Sequence, residues 1–291
     1  MSMRLTAARA RLRRAVPSTL LADPRYEVLP LAGVRDQVAT LPPGTAVTVT
    51  SSPSRGTMAT VELAEQFAEW GMRAVPHLSA RGMRDDAELV EVLQRMDHAG
   101  IRDAFIVGGD ATNSTGAFAD GGELLQAINE IGHRLDHIGI PSYPEGHPSI
   151  DNETLWAALK AKQPYATYTV TQLCFDADTI AEFVVAARNQ GINLPIIAGI
   201  PGVVDPSKLL RVSMRIGIGD SMRFVRGNRS AVRKMLWPGG FRPDSLVRRL
   251  DARTQAAGHE LAGLHVYTFN HVETTARRLR QMSRRALTAR R

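Results

Sequence analysis

Residues 73–107 read RAVPHLSARGMRDDAELVEVLQRMDHAGIRDAFIV. A short apolar run, Arg73–Leu78, comes first. An amphipathic stretch over Asp85–Ala99 follows and stops at Gly100, the residue type that closes helices in the left-handed conformation. A second apolar run, Ala104–Val107, comes next. Both runs are too short for helices and nearly free of polar alternation, the mark of strands buried on both faces. Two such strands joined by a helix form a βαβ unit with parallel strands.

The unit recurs in both directions. Strands are expected at Tyr26–Leu29, Ala46–Thr50, Arg73–Leu78, Ala104–Val107, Ile138–Tyr143, Thr167–Leu173, Pro195–Ile200 and Leu264–Phe269. Helical patterns separate them over Thr60–Trp70, Asp85–Ala99, Gly122–Leu135, Asn152–Lys160 and Asp178–Gln190, with Gly71, Gly100 and Gly191 as C-terminal caps. Eight such units without a two-half organisation predict an α/β protein made of a single (β/α)8 TIM barrel rather than an open doubly wound sheet. The 291 residues suit a barrel, which needs roughly 250. Residues 25–280 are assigned to the barrel, 1–24 to a basic N-terminal arm and 281–291 to a basic C-terminal tail. Residues 201–263 are read as the seventh helix plus an excursion near the barrel mouth.

Composition narrows the function. Hydrophobic residues make up 44%, enough for a large core. The single cysteine, Cys174, excludes an intrachain disulfide framework and a multi-cysteine zinc site and fits a reducing, cytoplasmic setting. No apolar run approaches the roughly 18 residues of a membrane span. The N-terminal MSMRLTAARARLRRAVPS has no apolar h-region, so no secretory signal is read. It shares an Arg-rich, acid-free character with transit peptides, but a surface helix is the plainer reading. The net charge is +7, yet the excess sits at the two ends. Aromatics are only 5%, and no basic stripe carries them interleaved for base stacking, which argues against a nucleic-acid partner.

In a barrel, the C-terminal ends of strands face the ligand mouth. Here those ends carry Glu27, Thr50, His77, Asp110, Tyr143, Glu145, His147, Gln172, Tyr267 and Asn270. Several of these bind or move protons. Each also has a plainer reading. Asp110 could start a turn after Gly108 and Gly109, glycines that would equally let the backbone approach a ligand. His77 alone is best read as a core histidine. Glu27 lies between apolar neighbours, and a buried Glu is rare unless paired or functional. No P-loop, dinucleotide fingerprint, HExxH, paired CxxC or GxSxG motif is present. His77, His147 and His265 are scattered, and no metal site is assigned.

The strand ends nonetheless spell a pattern. Tyr26-Glu27-Val28-Leu29-Pro30, Ala74-Val75-Pro76-His77-Leu78, Phe105-Ile106-Val107-Gly108-Gly109-Asp110, Tyr143-Pro144-Glu145-Gly146-His147-Pro148, Val170-Thr171-Gln172 and His265-Val266-Tyr267-Thr268-Phe269-Asn270 follow one another in that order. Together they resemble the methylenetetrahydrofolate reductases over roughly residues 25–280. The resemblance implies a barrel that binds a folate and reduces its one-carbon bridge to a 5-methyl group. It makes Glu27 the acid that protonates N10 as the ring opens, a role its apolar neighbours would favour by keeping it protonated. It makes Asp110 and Gln172 the pterin-binding pair and lets Tyr143 line the carrier site. Glu145 and His147 would brace the mouth loop.

The same resemblance implies flavin contacts at Thr50, His77, Asp110, Tyr143 and Lys162. Other flavin positions differ. Gly108 replaces an Arg, Leu155 or Thr154 an acidic residue, Ala158 an Asn, and Ala161 a basic residue. The losses remove counter-charge for a diphosphate. The expectation is therefore hydride transfer directly from NADH or NADPH without bound FAD. The alternatives are an FAD-dependent reductase and a non-catalytic folate-binding protein.

Overall fold

Alternation along each strand decides which side chains enter the barrel. In the computed structural model, which describes residues 20–52, 55–109, 116–203 and 241–288, eight parallel strands close in sequence order. They are β1 (Arg25–Val28), β2 (Ala46–Val49), β3 (Arg73–Ser79), β4 (Asp103–Val107), β5 (His137–Ser142), β6 (Tyr168–Thr171), β7 (Ile196–Pro201) and β8 (Gly263–Tyr267). The described helices are α1 (Val34–Val38), α2 (Gly56–Glu69), α3 (Asp86–His98), α4 (Gly121–Ile131), α5 (Asn152–Lys162), α6 (Ala177–Asn189), α7 (Asp244–Ala256) and α8 (Val272–Thr288). The expected α/β barrel is the fold observed.

One set of strand residues, including Tyr26, Val28, Val47, Ala74, Leu78, Ile106, Ile140, Ile200 and Val266, packs outward against the helices in one large core. The alternate set fills the barrel, with Val75, Phe105, Tyr168, Val170 and Ile197 as its apolar centre. Gly139 makes room there. It pairs with Phe105 on one side and Tyr168 on the other, and a Cβ would lie 2.4 Å from the Tyr168 ring.

Asp residues start several helices. Asp85, Asp120, Asp151 and Asp176 each accept a backbone N–H from the first turn that follows. Gly71, Gly100 and Gly191 stand just past helix ends with φ of 77°, 70° and 80°, as the sequence suggested. The helix α8 passes residue 280 without a break. Residues 204–240, where most of the expected excursion falls, lie outside the described residues, as do 1–19 of the expected arm.

The N-terminal end of the barrel is sealed by charge. Arg25 donates to Asp103 at 2.7 Å and to the Tyr168 hydroxyl at 2.8 Å, and that hydroxyl donates to Asp103 at 2.8 Å. The guanidinium also lies 4.2 Å over the Tyr168 ring. All three side chains point into the barrel, with the Tyr168 ring part of the apolar layer and the Arg25–Asp103 pair beneath it.

Candidate active site

At the opposite end of the same interior sits Glu27. Its neighbours Tyr26 and Val28 belong to the outer core and do not surround it. This corrects the expectation built on apolar neighbours. Successive strand residues face opposite sides, so the surroundings of Glu27 come from other strands.

Those surroundings are two imidazoles. His265 Nε2 on β8 lies 3.0 Å from Glu27 Oε2, and His77 Nε2 on β3 lies 3.9 Å from the same oxygen. His265 is 1% exposed, His77 7%, and the Glu27 side chain 14%. His265 Nδ1 has no partner among the described residues. A buried N–H without an acceptor is less tolerable than a bare ring nitrogen, so the His265 proton belongs on Nε2, where it donates to the Glu27 carboxylate. The Phe105 ring lies under both imidazoles, tilted against His77 at 4.7 Å and stacked with His265 at 6.4 Å. Thr48 Oγ1, Thr50 Oγ1 and His77 Nε2 are buried and make no hydrogen bond to described residues.

Burial pushes the His77 imidazolium down to about 4; Glu27 opposes the shift and His265 adds to it. His77 is therefore neutral near pH 7. A depressed folded-state value means the stability gained from keeping the ring neutral is complete above 6.5 and is lost as pH falls toward 4. The loss should reach about 3 kcal/mol. His77→Phe should flatten that part of the stability profile, as read from urea unfolding at pH 4–7. Parallel profiles for parent and variant would contradict it.

The remaining rim is built by loops. Tyr267 donates to Thr171 O at 3.3 Å, and burial pushes its phenol well up. Tyr143 and His147 meet edge-on at 5.3 Å across the turn that Gly146, at φ 76°, permits. The buried Cys174 thiol donates to Asp176 O at 3.4 Å, and burial first and then the Glu145 carboxylate push it up to about 12. Gln172 Oε1 accepts from the neighbouring Leu173 N at 2.8 Å. Asp110 lies outside the described residues. Gly109, at φ 86°, approaches Ser79 so closely that a Cβ would lie 2.1 Å from its Oγ, whereas space at Gly108 is open. A guanidinium does reach this loop, but from Arg81, which donates to Gly109 O and Ala119 O.

Lys162 stands apart, on α5. It lines a small cavity of about 40 Å³ with Tyr143, Asn152, Trp156 and Ala158, and burial pulls its ammonium down while Asp120 opposes. The structure thus joins Glu27, His77 and the overlooked His265, and puts Lys162 on the flank. In the sequence His265 stands as one of three scattered histidines and as the start of the last motif; its place two residues before Tyr267 is the strand spacing that turns both inward. Among the described residues no cluster of His, Cys, Asp or Glu could hold a metal ion, and no helix is long and apolar enough to cross a membrane.

The family model "Methylenetetrahydrofolate reductase" matches residues 31–219, more than half of the chain. The "Probable methylenetetrahydrofolate reductase (NADPH)" of Caenorhabditis elegans is 30% identical over 156 residues, 51% of this chain and 22% of that protein. "Methylenetetrahydrofolate reductase (NADH) 1" of Arabidopsis thaliana is 25% identical over 209 residues, 61% of this chain and 34% of that one. The chain therefore spans about a fifth to a third of the length of these relatives. In three dimensions it resembles an uncharacterized Clostridium thermocellum protein described as binding two copies of 5-methyl-5,6,7,8-tetrahydrofolic acid. The TM-score is 0.59 at 10% identity, over 96% of this chain and 99% of that one, a likeness of fold.

Proposed function

Because the chain belongs to the methylenetetrahydrofolate reductase family, we propose that it reduces 5,10-methylenetetrahydrofolate to 5-methyltetrahydrofolate, with Glu27 as the acid. The observation that carries the reading is the inward carboxyl group at the barrel mouth, held at Oε2 by His265. Both imidazoles approach Oε2, so Oε1 is the oxygen left to present a proton. Protonated Glu27 donates to N10 as the bond from N10 to the bridging carbon breaks, leaving an iminium at N5. The carboxylate so formed accepts from the His265 N–H, which is already in place and needs no reorganisation. His77, neutral and buried, adds no second positive charge beside the iminium. Asp110 and Gln172 are proposed to bind the pterin edge, and Tyr143 and His147 to line the carrier site with Thr50.

The hydride is proposed to come from NADH or NADPH without a bound flavin. A dihydronicotinamide supplies two electrons and the iminium carbon accepts them directly. The donor chemistry near α5 supports this. A flavin dinucleotide needs counter-charge for its diphosphate, yet Ala158 and Ala161 offer none, and burial disfavours the charge on Lys162. The cavity lined by Ala158 and Lys162, about 40 Å³, is far below the roughly 300 Å³ at which ligand pockets begin. Arg81 already spends bonds on two backbone carbonyls. A cytoplasmic location belongs to the same proposal.

The test is the visible spectrum of the purified protein, followed by NADH oxidation with and without methylenetetrahydrofolate. A colourless protein that oxidises NADH only with the folate is expected. Stoichiometric FAD released on denaturation, or activity that needs added FAD, would establish the flavin-dependent reductase instead. Folate binding with no turnover under either condition would leave the non-catalytic reading.

A further inference from the structure

The strand that carries Glu27 is gripped in an unusual way just past the residue itself. The ladder between β1 and β8 ends at Glu27 opposite Tyr267. Beyond that point one long backbone bond remains, from Thr268 N to Glu27 O at 3.4 Å, and side chains supply the rest. Thr268, fully buried, donates its hydroxyl to Glu27 O at 2.6 Å. Asn270 then uses both ends of its amide on one residue, Leu29: Oδ1 accepts from Leu29 N at 2.8 Å and Nδ2 donates to Leu29 O at 3.0 Å. The Thr268 hydroxyl also accepts from Asn270 N at 3.1 Å, which ties the two devices together.

This arrangement carries backbone strain. Phe269 and Asn270 have φ of 49° and 59°, two consecutive non-glycine residues in the left-handed region. Such a pair persists only when its surroundings over-determine it, and strain of this kind gathers at functional sites. Here its effect is to turn the Asn270 side chain back onto Leu29. A further pair of ladder bonds would have closed the barrel without it. The grip acts on the carbonyl of Glu27 and on both polar backbone groups of Leu29, two residues on.

We propose that Thr268 and Asn270 are positioning residues for Glu27, fixing the β1 backbone so that the carboxyl group meets the folate nitrogen at a set distance. The proposal rests on the reading of Glu27 as the N10 acid. A general acid must lie within hydrogen-bond reach of its target, and a misplacement of about 1 Å can cost 10²-fold in rate. Neither Thr268 nor Asn270 needs to touch substrate to have that effect.

The experiment compares Thr268→Val, Thr268→Ser and Asn270→Ala in the full chain, below their melting temperatures. Thr268→Val and Asn270→Ala should lower kcat by about 10–100-fold with KM for the folate changed less than about twofold. Thr268→Ser keeps the hydroxyl and should restore kcat to near the parent value. If Asn270→Ala fails to fold, Asn270→Asp keeps the acceptor for Leu29 N and loses the donor to Leu29 O, so it reads the same contact. Lower melting temperatures with unchanged kcat would overturn the proposal, because the contacts would then only close the barrel. Hydrogen exchange at the Leu29 amide supplies a readout independent of turnover, and should accelerate about five- to tenfold in Thr268→Val and Asn270→Ala. A parent that never reduces methylenetetrahydrofolate would defeat the proposed function but leave this readout intact. Unaltered exchange at Leu29 would then overturn the grip itself, and accelerated exchange would uphold it.

Discussion

Glu27→Gln is expected to lower turnover of methylenetetrahydrofolate by about 10²–10⁴-fold, the usual worth of a placed general acid, and to leave the melting temperature nearly unchanged. The amide has almost the shape of the carboxyl group, and its oxygen can accept the same N–H from His265 at the 3.0 Å now seen. What it cannot do is release a proton to N10. The loss should fall on kcat, with the folate KM little altered, since the carboxyl group acts on the departing nitrogen rather than on ground-state binding. Steady-state rates at several folate concentrations decide it. Turnover equal to the parent's would remove Glu27 from the chemistry and leave the two imidazoles without a catalytic partner.

At the far end of the barrel, Asp103→Ala should be the most destabilising single change among the charged residues described. Arg25 and Asp103 each keep only 14% of their side-chain surface, and the mutation strands a guanidinium beneath the apolar layer. Breaking one half of a buried pair costs about 3–5 kcal/mol. For a domain of this size that is a fall in melting temperature of roughly 6–20 °C. The Tyr168 hydroxyl loses its acceptor as well. Replacing both partners at once, Arg25→Met with Asp103→Leu, should recover much of the loss, because no bare charge remains. A thermal melt of the single variant indistinguishable from the parent's would show that solvent reaches Arg25 freely.

Much of the fold was legible because parallel strands buried on both faces write themselves as short apolar runs. Arg73–Leu78 was expected and Arg73–Ser79 is found; Thr167–Leu173 was expected and Tyr168–Thr171 is found. The ends differ because a ladder stops where its neighbours stop, which no local pattern reports. The helix α1 leaves no mark in the sequence, since five residues are too few to show a period. In α8 the arginines drew attention to charge, while the apolar stripe Val272, Ala276, Leu279 and Met282 that seats the helix is buried beneath them. The site was harder to read. Glu27 was conspicuous as a carboxyl group in an apolar run, and its place at the mouth followed from the strand. Its partners did not follow, because His77 and His265 come near it only through barrel closure. Gln172, by contrast, turns its side-chain oxygen to its own neighbour Leu173, a local contact that residue type alone does not disclose.

The closure between β1 and β8 also sets an order in time. Glu27 is made with the first strand of the barrel, and the groups that hold that strand, His265, Thr268 and Asn270, lie 238 to 241 positions after the residues they bind, Glu27 and Leu29. Contacts so remote in sequence must overcome the largest loop-closure entropy in the domain, and chains rich in them reach the native state slowly. A nascent or refolding chain can carry its helices and most of its strand pairs, and even His77 near Glu27, while His265 is still absent from the carboxyl group. On the reading of Glu27 as the acid, catalytic competence is tied to the final annealing step, and partly folded chains are expected to be inert toward the folate rather than slow or indiscriminate.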